Sequence, residues 1–121
     1  MKPFDEIIAV TDLYFESIFN GNVEALRSTF HPSATLSGVV KGNPFFTQLE
    51  DYLLKVKNRQ SPRQLGETFA MKILSVEVIG QIAFVKTNCP MLGFNYYDYL
   101  SFICLDGRWV ISSKVFTNKE S

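Results

Sequence analysis

NYYDYLSFICLDGRWVISSKVF, residues 95–116, decides the fold. Both halves are rich in aromatic and β-branched side chains, which suit a pleated, half-buried surface. Asp106-Gly107 stands between them, and Asp-Gly between two apolar runs is a strong short-range hairpin signal. The stretch therefore reads as two long antiparallel strands. Its register determines which side chains share a face, because a slip of one residue turns a strand over.

Two registers are open. A two-residue turn places Leu105 opposite Arg108. A three-residue loop with Gly107 as a left-handed bulge places Cys104 there instead. The second brings Asp98 opposite Lys114, on one face with Tyr96, Leu100, Phe102, Val110, Ser112 and Phe116. Tyr97, Tyr99, Ser101, Ile103, Trp109, Ile111, Ser113 and Val115 then form the other face. A cross-strand pair of opposite charges contributes ~0.2–1 kcal/mol, and a buried charge needs a partner. The alternative sets Asp98 and Lys114 on opposite faces, each in solvent.

Outward from the hairpin, composition sets the class. The chain has 121 residues, 46% hydrophobic and 20% charged, enough for one domain spanning 1–121 with a single core. Eleven phenylalanines favour a large interior or a lined cavity. A net charge of zero and a pI near 6.6 argue against a nucleic-acid binder, which carries a basic stripe. No run approaches the ~20 apolar residues of a membrane helix. Asp5 and Glu6 stand where a secretory signal would place its basic and apolar regions, so a cytoplasmic location is expected. Cys89 and Cys104 both fall in strands and make no disulfide framework.

In chain order, Phe4, Ile7, Ile8, Thr11, Phe15 and Ile18 recur at helical spacing and predict a helix over 3–19, stopped at Asn20-Gly21. Asn22 caps a short helix over 23–29. A strand follows over 34–40, then an irregular segment around Gly42 and Pro44. Thr47 and Glu50 form a capping box for a third helix over 48–57. Residues 60–66 read as a polar loop, 69–79 and 82–88 as strands joined at Gly80-Gln81, and 89–95 as a bend. Residues 1–2 and 117–121 are expected to fray. Helices first and antiparallel strands after is the order of an α+β fold, a curved sheet with helices on one face. Such a sheet closed by helices leaves a hollow suited to a ligand.

Four pieces in this order carry a family resemblance: FNGNVEALRSTF, HPSATL, YYDYLSFI and DGRWVISSKVF. Together they resemble the NTF2-like superfamily over nearly the whole chain, and within it the lumazine-binding subgroup. The resemblance implies a cystatin-like cone, three N-terminal helices on a strongly curved, mixed but mainly antiparallel sheet. More distantly the chain is similar to ketosteroid isomerases and SnoaL-like polyketide cyclases. The isomerases' catalytic Tyr lies seven residues before the Gly ending the first helix, which matches Tyr14 before Gly21. Their oxyanion-hole Asp matches Asp98. Their catalytic carboxylate would fall at Ser37-Gly38, where no carboxylate stands.

The candidate site residues are thus Tyr14, His31, Tyr96, Asp98, Leu100, Phe102, Ser112, Lys114 and Phe116. Tyr14 points its hydroxyl into the hollow or bonds it to backbone. Asp98 is a carboxyl in an apolar pocket or half of a structural salt bridge. Lys114 is that partner or the anchor for a ligand's anionic or carbonyl group. His31, at a helix end before Pro32, is more simply a cap for carbonyls than an imidazole catalyst. One histidine and no carboxylate cluster suggest neither metal nor cofactor. The expected function is binding of a small aromatic, carbonyl or carboxyl ligand. The alternatives are an isomerase, cyclase or dehydratase using Tyr14 and Asp98, and a homodimerisation module that pairs through the outer sheet face.

Overall fold

The computed structural model describes residues 2–120. Helix α1 (Pro3–Asn20) begins with Pro3 in its first turn and Asp5 and Glu6 at the positive end of its dipole. It ends where Gly21 turns left-handed and its N–H caps α1 carbonyls. Helix α2 (Val23–Ser28) follows at once, the Asn22 side chain accepting from Ala25 N–H. Then come β1 (Phe30–Val40), β2 (Asn43–Gln48), α3 (Leu49–Asn58), β3 (Lys72–Ile79), β4 (Ile82–Met91), β5 (Phe94–Leu105) and β6 (Arg108–Asn118).

The six strands form one mixed sheet in the order β2-β1-β6-β5-β4-β3. Among the described residues only the β1–β6 pairing is parallel. The helices cover one face. Ile7, Tyr14, Phe15 and Ile18 of α1 and Leu49, Leu53 and Val56 of α3 pack there with Val85, Leu100, Phe102 and Ile111 of the sheet. This is the α+β architecture expected from the order of elements.

Several local expectations are corrected. The segment after Val40 is a strand, because Lys41-Gly42 makes a two-residue turn with φ of 49° and 76°. The loop expected over 89–95 shrinks to Leu92-Gly93. Pro90 is tolerated inside β4 because β3 pairs no further than Asn88, so no neighbour on that side needs its missing N–H. Leu92 holds a positive φ of 54°, and its N–H donates to both carboxylate oxygens of Glu67 at 3.0 and 3.1 Å. No capping box forms at α3: Gln48 occupies the cap without a side-chain bond, and Thr47 Oγ1 donates to Gln48 O. Strand β3 starts at Lys72, after Phe69. At the C-terminus β6 runs on through Asn118, whose Oδ1 accepts from Lys41 N–H. The expected fraying at Met1 and Ser121 falls outside the described residues.

The central hairpin combines the two registers weighed above. Asp106 and Gly107 both have positive φ, 50° and 77°, and Leu105 faces Arg108 across a two-residue turn. A bulge lies farther along: Ser101 faces Ser113 and Phe102 faces Ile111, which leaves Ser112 as the extra residue. The bulge reverses the inward set of β6 partway along the strand. Below it Trp109 and Ile111 face inward, against expectation; beyond it Lys114 and Phe116 do.

Candidate functional site

Beyond the bulge a cavity of about 280 Å³ lies between α3 and the sheet. Its floor is polar. Asp98, 2% exposed, accepts at Oδ2 from the Tyr14 hydroxyl at 2.7 Å and from the Cys89 thiol at 3.5 Å. Lys114, 5% exposed, donates from Nζ to the Tyr52 hydroxyl at 3.2 Å. The same ammonium lies over three rings, those of Tyr52, Phe116 and Tyr14, at 4.7, 5.2 and 5.3 Å.

Asp98 and Lys114 share the inward face without pairing. Asp98 stands opposite Phe116, and Lys114 opposite Leu100. The ion pairs among the described residues are those of Arg27 with Glu24 and Glu50, at the surface. The direct cross-strand salt bridge of the three-residue loop is therefore replaced by a diagonal arrangement. The cause is the position of the bulge, at Ser112 instead of Gly107.

The electrostatics follow from burial. Desolvation and the neighbouring Asp98 carboxylate hold the Tyr14 phenol well above its ordinary range, so it stays a donor. For Lys114, burial pulls the ammonium down, but Tyr52, Asp98 and Cys89 together outweigh that and leave it above its usual value. Burial raises the Cys89 thiol, and Asp98 adds to the effect. The floor therefore groups a phenol, a thiol and an ammonium around Asp98. An ammonium is a poor nucleophile, so Lys114 offers N–H donors and positive charge.

Of the candidates chosen from sequence, Tyr96, Asp98, Lys114 and Phe116 line the cavity, and Tyr14 lies beneath it against Asp98. Leu100 and Phe102 sit in the solid core, 0% and 1% exposed, one and two pleats from the opening. Ser112 lies on the sheet's outer side, in a shallow groove with Phe84 and Ser101, and donates to Ser101 O at 3.2 Å. His31 lies by the far end of the hairpin, in a cleft with Leu105 and Arg108; its Nδ1 accepts from Ser33 N–H. Seven residues of β5 separate Asp98 from that end, roughly 23 Å at ~3.3 Å each.

Sequence reading missed Tyr52, Lys55, Arg59, Cys89, Met91 and Phe94 as cavity residues. Tyr52 and Arg59 carried a usable signal, a polar head near the end of an amphipathic helix that faces the sheet. Among the described residues no cluster of three metal-ligating side chains occurs, and no helix is long and apolar enough to cross a membrane.

Comparison with known proteins agrees with the architecture. The profile of the family described as "Putative lumazine-binding" matches residues 2–117. Aldolase FrzH of Cladobotryum sp. is 29% identical over 120 residues, covering 95% of this chain and 90% of that protein. An NTF2-like protein of unknown function from Silicibacter pomeroyi DSS-3 superposes with a TM-score of 0.86 at 23% identity, covering 96% of this chain and 95% of that one. A second, from Methylobacillus flagellatus KT, gives 0.86 at 23% identity, covering 97% and 92%. A third, from Shewanella baltica OS155, gives 0.82 at 19% identity, covering 100% and 99%. At these identities the solved structures speak for the fold alone.

Proposed function

The chain belongs to the lumazine-binding family of the NTF2-like superfamily, and from that premise we propose that it binds a small, mostly apolar ligand whose carbonyl or carboxyl oxygen docks against Lys114. One observation carries the reading. Lys114 is a buried ammonium in an aromatic-walled cavity, and among the described residues it has a phenol and three ring faces as neighbours but no paired carboxylate. Its neighbours offset the cost of burial without supplying a close anionic partner, and a ligand oxygen would be that partner. Asp98, oriented by Tyr14, serves as the acceptor for a ligand O–H or N–H beside that oxygen. The test is thermal-shift screening against aromatic acids, pterins, flavins and steroids, with Lys114→Met as the control. Micromolar stabilisation by one class, lost in the variant, supports the reading. No stabilisation by any class refutes it.

A second reading is an enzyme that forms an enolate, and two observations favour it. A relative aligned over most of both chains is named an aldolase. Asp98 also keeps Oδ1 free of protein donors among the described residues while Oδ2 is held by Tyr14 and Cys89. In this reading Asp98 takes the proton α to a ligand carbonyl, and Lys114 stabilises the enolate oxygen. This differs from the isomerase pattern, in which Asp98 would be a donor and the missing base would fall at Ser37-Gly38. Deuterium exchange at the α-carbon of a bound ketone, followed by NMR, should vanish in Asp98→Asn and persist in Lys86→Gln on the outer face. Equal exchange in both variants would rule the enzyme reading out.

A further inference from the structure

Arg59 follows α3 directly and lines the same cavity. Its Nε and Nη2 atoms are buried, and neither has a hydrogen-bond partner among the described residues. Buried donors without acceptors are rare and costly. These two nitrogens form one edge of the guanidinium plane, the edge that donates two parallel N–H bonds to a carboxylate. The surrounding charge points the same way. Lys55, Arg59 and Lys114 line the cavity with one acidic residue, Asp98, so its lining holds three cationic side chains against one anionic, Lys55 at the exposed rim. Asp98 does not serve Arg59, since its close partners are Tyr14 and Cys89. The Arg59 charge reaches the cavity interior: burial raises the Tyr96 phenol, and Arg59 and Lys114 are the cations that draw it back.

Resting on the binding reading above and naming its substrate class, we propose that Arg59 is a carboxylate seat and that the cavity takes a small organic acid. The acid's carboxylate lies on the Nε–Nη2 edge, and its carbonyl or ring end points to Lys114 and Asp98. Arg59 approaches the cavity from the end of α3, and Lys55, one helical turn earlier, adds charge beside it. Phe45 and Phe94, also on the cavity wall, give the apolar part of the acid an aromatic surface to pack against.

The experiment is calorimetric titration with phenylpyruvate, its methyl ester and phenyl phosphate, on the wild type, Arg59→Gln and Arg59→Lys. The acid should bind at least tenfold more tightly than the ester. Arg59→Gln should abolish that preference and leave the ester's affinity within twofold. Arg59→Lys should keep part of it, because a lysine supplies the charge without the fork. The ligand-free Arg59→Gln protein should melt no lower than the wild type, since no acceptor in the protein loses a bond. An ester that binds as tightly as the acid, or a preference that survives Arg59→Gln, overturns the seat and leaves the cavity as a binding site. Phenyl phosphate binding more tightly than the acid overturns the carboxylate class. A clear fall in the melting temperature of ligand-free Arg59→Gln assigns the residue a structural role and overturns the seat as well. If neither acid nor ester binds, the pocket reading fails and the seat fails with it.

Discussion

Replacing Tyr14 by Phe removes one oxygen and leaves the ring that packs against Phe15 and Phe30. Tyr14 is fully buried, so no solvent replaces the lost donor, and no methylene is removed that would open a cavity. The hydrogen bond lost runs 2.7 Å to a carboxylate that is itself 2% exposed. A bond to a charged group contributes about 1.5–3 kcal/mol. The thiol of Cys89 at 3.5 Å is a weak substitute, so the upper half of that range is expected, about 2–3 kcal/mol. Urea unfolding followed by the buried Trp109 and by circular dichroism would measure it, with an unchanged slope showing that two-state behaviour holds. The cycle with Asp98→Asn sharpens the test. The carboxamide still accepts from the phenol, but the bond becomes neutral, worth ~0.5–1.5 kcal/mol. Tyr14→Phe should then cost about 1 kcal/mol less in the Asp98→Asn background than in the wild type. If Tyr14→Phe costs under ~0.5 kcal/mol, or costs the same in both backgrounds, the floor is not organised around a charge-assisted bond.

Four further outcomes are expected. Tyr14 and Lys114 both have folded-state pKa values above their unfolded ones, so their stabilisation is complete below about pH 10 and is lost as pH rises through the folded values. Melting temperatures between pH 7 and 11.5 should fall in the alkaline range, less steeply in Lys114→Met; a fall already complete by pH 9 would contradict this. Gly38→Ala would place its Cβ against the Phe116 carbonyl oxygen and 2.8 Å from that ring. A loss of at least 1–3 kcal/mol is expected in urea, together with weakened ligand binding, because Phe116 is a cavity wall. Cys104, partly exposed, should react with a thiol reagent in the native state, whereas Cys89, at 1% exposure and with its thiol pKa raised by burial, should react only on unfolding. Finally, we propose that the outer sheet face, where Ile82, Tyr99 and Val115 are 56%, 48% and 48% exposed, pairs with a second copy. Sedimentation equilibrium should report a dimer that Val115→Lys weakens, and a monomer at all concentrations would exclude it.

The legible part of this chain was the part governed by local chemistry. The period of α1, Asn22 as a cap, Gly21 as a stop and Asp106-Gly107 as a turn all follow from neighbours in sequence, and each formed as expected. The errors arose where a partner strand decides. Leu92-Gly93 and Lys41-Gly42 adopt the same positive-φ turn as Asp106-Gly107, yet Leu and Lys are not turn formers, so the pairing on either side imposes the geometry. Ser112 is the most costly miss. No residue type at 111–113 marks a bulge, and its position alone decides that Ser112 leaves the cavity while Trp109 and Ile111 join the core. Arg59 was visible as a basic residue just past a helix end, where the dipole accounts for it in solvent. Only the packed cavity reveals that two of its donors are unmatched.

That mismatch bears on why the cavity persists at all. Its polar groups come from α1, α3, β4, β5 and β6, and from the residue after α3, elements separated by up to a hundred residues. A core built for stability alone would fill this space with apolar side chains, since exchanging buried charges for hydrophobic residues of similar volume is often neutral or stabilising. The unmatched buried donors of Arg59, beside the buried Lys114 and Asp98 and beneath aromatic walls, work against that economy. Positions that break the local rules of packing without an internal compensation are where function is to be sought. Arg59→Leu should therefore fold at least as stably as the wild type at neutral pH while losing ligand. A variant that lost stability together with binding would mark Arg59 as scaffold, and the search for a ligand would have to move elsewhere on the molecule.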